Sequence, residues 1–439
     1  MADQEITVTD KEQKPWFIDG RTGETTAYGD LLADLNRSPG FVRPLSQPAS
    51  TQDALREIAA GLAFGNELTL FDPDFGEREL AALGFEKSQL NRPACAPAAK
   101  LVDLAALQAA AAGNSTARLG LFTSGSTGLP KLVMQSVGNL ARSVKVSPRQ
   151  AEAIWAFAYN PTHVAGIQVY LQALANGCSI VDIFGLDRSR ALDAIKRYGV
   201  THISATPSFF RLLLPADQAL AGVRSVTLGG ESSDAALLER LRPMFPAARF
   251  HNVYASTEAG TLLMADGDVF SIAAGLADRV IVRDGRIHVH RSLLGEFEGQ
   301  PSVALRAMDG SSSPAEGGTG EEWYDTGDVV DVVSNEPLRF RIVARDRDWV
   351  NVGGSKVNPR EVEAVLEEFP GVRKVRVSAR ANSVMGQILC AEVECSGPPP
   401  SEPSLREFVA TRLQPFKVPR LIRFVDTIAQ TRTGKVSRQ

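Results

Sequence analysis

The chain of 439 residues is long enough for two or three domains with a sizeable buried core. Its 44% hydrophobic content is that of a globular protein, and 47 basic against 51 acidic residues leave a formal charge of −4, which gives no electrostatic footing for nucleic acid or an anionic membrane surface. The four cysteines, Cys95, Cys178, Cys390 and Cys395, have no paired short spacing, which argues against a zinc site or disulfide framework; with an acidic start, Met1-Ala2-Asp3-Gln4-Glu5, and no apolar run of transmembrane length, they point to free thiols in a cytoplasmic enzyme.

In chain order, Thr25–Leu32 reads as a strand running into a helix, and Leu55, Ile58, Ala59 and Leu62 give Asp53–Phe64 helical periodicity. Leu68–Pro73 reads as a buried strand ending in a turn, followed by a helix from Glu77 to Leu83. The Ala-rich stretch from Ala94 to Ala112 fits either a helix or a low-complexity linker. From about Val137 to Val253 helical and apolar segments alternate, with strands expected at Ile154–Phe157, Ser179–Ile183, Val200–Ala205, Ser225–Leu228 and Phe250–Val253. That alternation predicts a largely parallel sheet covered on both faces, an α/β architecture. A β-rich subdomain is expected at about 266–343, and the charge cluster Arg345-Asp346-Arg347-Asp348 marks a boundary. Beyond it, an amphipathic helix through Val362, Val365, Leu366 and Phe369, strands around Val375–Val377 and Ile388–Val393, and a second helix through Leu405 to Leu413 make a small α+β domain. The expected division is a core at 1–345 and a C-terminal lid at 346–439.

The chemistry begins at Leu121-Phe122-Thr123-Ser124-Gly125-Ser126-Thr127-Gly128-Leu129-Pro130-Lys131-Leu132-Val133, hydroxyls, glycines and a lysine between two apolar strands. Glycines let backbone N–H groups approach phosphate oxygens, the hydroxyls of Thr123, Ser124, Ser126 and Thr127 donate, and Lys131 adds positive charge. A kinase-type P-loop needs Gly-Lys followed by Ser or Thr, and Gly128-Leu129-Pro130-Lys131 breaks that pattern. Asn160-Pro161-Thr162-His163 sets a histidine before a helix; a lone histidine is equally well structural. Leu228-Gly229-Gly230-Glu231 and then Tyr254-Ala255-Ser256-Thr257-Glu258 bring an aromatic ring, a hydroxyl and a carboxylate suited to a nucleobase, a phosphate and Mg²⁺. Tyr324-Asp325-Thr326-Gly327-Asp328 puts a carboxylate after a tight turn, as a plain β-turn also would. Arg345–Glu363 includes Gly353-Gly354, and Thr433-Gly434-Lys435 ends the series with a lysine freed by a glycine.

In this order and spacing these stretches resemble the adenylate-forming superfamily of acyl- and aryl-CoA synthetases, luciferases and peptide-synthetase adenylation domains. The resemblance runs from about residue 25 to 438 and implies ATP and Mg²⁺ as cofactors, with CoA or a carrier-protein phosphopantetheine as acceptor. It assigns the ATP phosphates to the Thr123–Gly128 loop and Lys131, the adenine site to Gly230, Glu231 and Tyr254, the α-phosphate to Thr257, Mg²⁺ to Glu258 and the ribose to Asp328 and Arg345. Lys435 would serve adenylation, Arg347 would be the hinge about which the small domain turns, and Gly353-Gly354 would border the thiol tunnel. His163, Thr206, Pro207, Phe209 and Gly229 are expected around the acyl pocket, where few arginines occur, favouring a monocarboxylate with an apolar tail or ring.

Departures from the pattern are Met134-Gln135-Ser136 where a Thr-His pair is common, Ala255 in place of a glycine, and a short region before the clamp. His288 and His290 share one strand face as a metal pair would, without an evident third ligand. Two other readings follow from the same motifs: a non-catalytic nucleotide-binding subunit, which would predict losses among Lys131, Glu258, Asp328 and Lys435, and an adenylating enzyme with an amide-forming or oxidative second step. All four residues are present.

Overall fold

A computed structural model of the chain describes residues 8–37, 44–92, 100–114, 116–124, 130–230, 233, 235–265, 267–297, 322–345, 350–357, 359–382 and 386–428. The largest sheet has eight strands in the order Gly260–Ala265, Arg249–Ser256, Ser225–Gly229, His202–Ala205, Ile154–Phe157, Ser179–Asp182, Pro15–Asp19 and Thr25–Ala27. From Arg249–Ser256 across to Pro15–Asp19 every pairing is parallel, and the two edge pairings are antiparallel. Parallel neighbours need crossovers, and the helices Val164–Asn176, Arg188–Arg197, Pro207–Leu213 and Ala235–Leu241 supply them.

Alternate residues of these strands enter two different cores. Phe17, Trp155, Phe157 and Ile180 pack on one face, while Ile18, Ala156, Val181 and Ile203 pack on the other. This double burial explains why the strands read as continuous apolar runs. The Pro15–Asp19 strand was not evident in the sequence, because three apolar residues between Pro15 and Asp19 are too short a run to register; pairing with Ser179–Asp182 buries Trp16 and Phe17 almost completely.

A second, five-stranded sheet has the order Glu296–Phe297, Pro130–Ser136, Arg118–Ser124, Glu67–Leu70, Leu45–Ser46. Its helix Thr51–Phe64 starts at Ser50, whose side chain accepts from the Asp53 N–H, and stops at Gly65, φ 71°, a left-handed cap that a residue with a Cβ adopts only under strain. Of the Ala-rich stretch, residues 94–99 lie outside the described residues, and the remainder contains a helix at Leu104–Gly113, capped by Asp103. The helix expected after Val137 is only Val137–Leu140, and Gly138 within it leaves little helical propensity. A four-stranded antiparallel sheet, Val280–Arg283, Arg286–His290, Trp323–Asn335 and Leu338–Arg345, makes up the β-rich region around a core of Val280, Ile287, Val289 and Phe340.

Residues 350–424 have a core of their own. The helices Pro359–Glu367 and Glu402–Ala410 cover a sheet of Ser355–Val357, Val350–Val352, Gly386–Cys395, Val372–Asn382 and Leu421–Phe424, burying Val362, Val365, Leu366, Leu405 and Val409. The helical pattern read through Phe369 and Leu413 runs past both helix ends, since Phe369 and Leu413 lie in the following turns but still pack inward. This lobe touches the core where the Arg78 guanidinium forks onto Glu368 at 2.7 and 3.2 Å. Within the lobe, Lys417 Nζ lies 2.8 Å from Glu361, with the two side chains 4% and 16% exposed. Removing one member of a pair this deeply buried strands a charge. Lys417→Met is therefore expected to lower stability by about 3–5 kcal/mol in chemical denaturation, with the double variant Lys417→Met/Glu361→Leu recovering most of the loss. Equal losses in the single and double variants would show that the pair contributes only packing.

Candidate functional site

The phosphate-clamp hairpin lies in the second sheet. Arg118–Ser124 and Pro130–Ser136 are antiparallel, with Thr123 opposite Lys131 and Leu121 opposite Val133. Lys131 is half-buried on its strand. Ser126, Thr127 and Gly128 lie outside the described residues, as do the side chains of Thr123 and Ser124. Beneath the hairpin, the Phe122 ring lies 4.9 Å from Phe71 and 5.4 Å from Phe75, an aromatic base from neighbouring chain segments.

The other candidates gather at the C-terminal ends of the parallel strands, where α/β sheets open a crevice. Tyr159 to His163 follow Ile154–Phe157, Thr206 follows His202–Ala205, and Gly229 ends Ser225–Gly229. The Tyr159 hydroxyl donates to the Gly229 carbonyl at 3.4 Å. Gly230 has φ 83°, and a Cβ there would stand 3.7 Å from Thr206 Cγ2, so the two adjacent strand ends are in contact. Thr206 Oγ1 caps the helix beginning at Pro207 by accepting from Phe209 N–H at 3.1 Å. The Phe209 ring meets Phe210 edge-to-face with 6.0 Å between centroids and packs against the apolar core of that face of the sheet. Glu231 lies outside the described residues.

The decisive contact joins two motifs far apart in sequence. Tyr254 Oη donates to Asp328 Oδ2 at 2.5 Å across 74 residues, with both groups buried. Asp328 is fixed by its turn: its N–H donates to Thr326 Oγ1 at 3.1 Å, Thr326 Oγ1 donates to the Ile287 carbonyl at 2.9 Å, and the Gly327 N–H donates to Asp325 Oδ1 at 2.8 Å. Backbone pairing places Asp328 opposite Arg345, whose side chain lies outside the described residues. The register against Gly260–Ala265 shifts between Tyr254 and Ala255, where the sequence departs from the usual glycine, because the partner strand carries an extra residue, Leu262, between Thr261 and Leu263.

The AMP-binding enzyme profile matches residues 49–282, and the profile of the AMP-binding enzyme C-terminal domain matches residues 361–435. The chain belongs to the AMP-binding enzymes. It is similar to a 3-[(3aS,4S,7aS)-7a-methyl-1,5-dioxo-octahydro-1H-inden-4-yl]propanoyl:CoA ligase of Mycobacterium tuberculosis, 29% identical over 361 residues that span 78% of this chain and 69% of the relative. It is also similar to the fatty acid–[acyl-carrier-protein] ligase ScoC of Streptomyces coeruleorubidus, 26% identical over 73% of this chain and 66% of the relative. The fold matches a double mutant of o-succinylbenzoate CoA synthetase from Bacillus subtilis, with a TM-score of 0.71 and 20% identity over 98% of this chain and 97% of the other. The resemblance read from the motifs and the two-lobed α/β fold both stand.

In this AMP-binding enzyme Thr257 and Glu258 form the turn between Arg249–Ser256 and Gly260–Ala265. Gln135, fully buried on the second clamp strand, donates from Nε2 to the carbonyls of Thr257 at 2.7 Å and Glu258 at 2.8 Å. The Gly295 N–H also reaches the Glu258 carbonyl, at 2.8 Å. In sequence Gln135 was only a departure from pattern; the available signal was an amide in strand alternation with buried Val133. Asp72 was missed as well. It follows the Glu67–Leu70 strand, and its Oδ2 lies 3.1 Å from His163 Nε2. Burial alone would raise the Asp72 carboxyl, but hydrogen bonding and charge from His163, with the Asp74 N–H and Asn160 amide, bring it below the usual carboxylate range. Burial, then the charge of Asp72, pushes neighbouring Asp74 up.

His288 is held near the Arg286 carbonyl and His290 near Ser292, and among the described residues no group of three potential ligands surrounds a metal position. Gly353 and Gly354 form the turn between Val350–Val352 and Ser355–Val357 at φ 57° and 87°, with the Gly354 N–H donating to Asn351 Oδ1 at 3.1 Å. Arg347 and Lys435 lie outside the described residues. Among the described residues no helix is long and apolar enough to cross a membrane. Gln135→Leu removes a donor shared by two backbone carbonyls and is expected to cost about 1–3 kcal/mol, seen as a lower denaturation midpoint. An unchanged midpoint would mean that the Thr257–Glu258 turn is held without it.

Proposed function

We propose that this chain activates a carboxylic acid with ATP and then passes the acyl group to a thiol. The observation that carries the reading is the Tyr254–Asp328 contact, which brings the adenine-side tyrosine and the ribose-side aspartate of the motif series together beside the Thr257–Glu258 turn. A carboxylate is a poor electrophile, so one of its oxygens attacks the α-phosphorus, the bond to the β-phosphate oxygen breaks, and pyrophosphate leaves. Lys131 with the Thr123–Gly128 loop would hold the departing phosphates, Thr257 the α-phosphate, Asp328 and Arg345 the ribose, and Gly230, Glu231 and Tyr254 the base. Lys435 would stabilise charge developing at phosphorus from the C-terminal lobe.

Glu258, in the turn after Ser256, would hold Mg²⁺ through a single carboxylate, with phosphate and water oxygens as the other ligands. The ion would screen phosphate charge during attack. In the second step a thiol displaces AMP from the carbonyl carbon. Rotation of the 346–439 lobe about Arg347 would exchange the Lys435 loop for the Gly353–Gly354 turn between the steps. The substrate class favoured is a monocarboxylate with an apolar ring or tail, in keeping with His163, Thr206, Pro207 and Gly229 at the strand ends and with relatives named for bicyclic and fatty acids. CoA is the favoured acceptor, with a separate carrier protein as the other thiol carrier among the relatives.

The test is carboxylate-dependent exchange of pyrophosphate into ATP with benzoate, 2-succinylbenzoate, octanoate and malonate, followed by addition of CoA and detection of a thioester by mass. Exchange with one acid class is expected, reduced at least about 100-fold in Lys131→Ala and Glu258→Ala. ATP binding without exchange for any of these acids would favour the non-catalytic reading instead.

A further inference from the structure

Asp72 and His163 come from different sheets and meet at the crevice. Asp72 follows Glu67–Leu70 in the clamp sheet, and His163 is the residue preceding the Val164–Asn176 helix on the large sheet. The carboxylate sits in a built socket. Its Oδ2 accepts from His163 Nε2 at 3.1 Å and Asn160 Nδ2 at 2.8 Å, and its Oδ1 accepts from the Asp74 N–H at 3.2 Å. Asn160 is itself oriented, because its Oδ1 accepts from both the N–H and the hydroxyl of Thr162 at 2.9 Å, turning its nitrogen towards Asp72. Gly166 permits the close fit: a Cβ there would lie 2.5 Å from the Asn160 carbonyl oxygen and 3.1 Å from Phe157 Cζ.

We infer that Asp72 and His163 form a proton-accepting pair for the acceptor thiol, with His163 as the catalytic base and Asp72 as its positioning residue. This rests on the acyl-transfer reading above. An ionised carboxylate only accepts, so the Nε2 facing it carries the proton and Nδ1 is left as the basic atom. The two side chains differ in access, 43% exposed for His163 and 7% for Asp72, so the imidazole spans from a buried anion to open space. Just beyond Asp72 in sequence, Arg78 makes the contact with Glu368 of the C-terminal lobe, so the segment that carries Asp72 runs on to a point where the two lobes touch.

The chemistry requires a base in the second step and not in the first. A carboxylic acid is already ionised at neutral pH, whereas a thiol is mostly protonated and its thiolate is the nucleophile. Nδ1 takes the S–H proton as the sulfur lone pair attacks the acyl carbon; the carbon–oxygen bond to AMP breaks, and AMP leaves with that electron pair. Asp72 stabilises the imidazolium formed and fixes its tautomer.

The test uses full-length protein preloaded with the adenylate of octanoate or 2-succinylbenzoate and follows single-turnover transfer to CoA and, separately, to hydroxylamine. The hydroxylamine nitrogen has a free lone pair at neutral pH and needs no prior loss of a proton. In His163→Gln and Asp72→Asn the ratio of thioester to hydroxamate rate is expected to fall about 100-fold. Asp72→Asn is nearly isosteric and tests the pair should His163→Gln alter the pocket. A parallel loss with both nucleophiles, or thioester formation at the parental rate in His163→Gln, would overturn the pair's role while parental exchange still upheld adenylation. A parent protein without pyrophosphate exchange would overturn the adenylation reading and this inference with it.

Discussion

Buried polar groups need partners, and at the candidate site those partners come from a different sheet. A carboxylate or amide withdrawn from water costs several kcal/mol unless it is hydrogen-bonded. Gln135 meets that demand by reaching from the clamp sheet to the Thr257–Glu258 turn of the large sheet, Asp72 by taking His163 and Asn160, and Asp328 by taking the Tyr254 hydroxyl from across the β-rich region. Each such bond is directional, so it fixes the relative placement of two sheets more sharply than apolar packing can. The site lies where these bonds cross.

Apolar packing does the complementary work. Because alternate residues of Ile154–Phe157 and Ser179–Asp182 enter different cores, the large sheet cannot slip by one residue without exchanging its two faces. That fixes where the strands end, and Tyr159, Thr206, Gly229 and Tyr254 all occur at or just beyond strand ends or near them. The C-terminal lobe, with its own core of Val362, Leu366, Leu405 and Val409, meets the first lobe through an exposed ion pair at Arg78 and Glu368. An exposed pair holds weakly, which would suit the lobe rotation proposed above.

Much of the fold could be read from residue patterns. The parallel strands were visible because double burial makes them continuously apolar, and the helix at Thr51–Phe64 because its apolar stripe has helical period. The Pro15–Asp19 strand was not, since its three apolar residues are a short local signal and its parallel pairing, Phe17 with Ile180, spans 163 residues. The Val137–Leu140 helix starts where the sequence pattern places it but is short, because Gly138 leaves little propensity for it to continue.

The sequence by itself determined the kinds of groups available: a hydroxyl- and glycine-rich loop with Lys131, the Tyr254–Glu258 run, the Asp328 turn and the paired glycines of the C-terminal lobe. Such motifs are local, because backbone conformation and spacing within a few residues decide what a loop can present. Tertiary structure decided which of them face one another. That Gln135 would span to Thr257, that Tyr254 would donate to Asp328, and that an aspartate after Leu70 would hold His163 depend on separations of 122, 74 and 91 residues. Contacts at that range arise only when whole sheets pack, and no local rule of propensity or spacing encodes them.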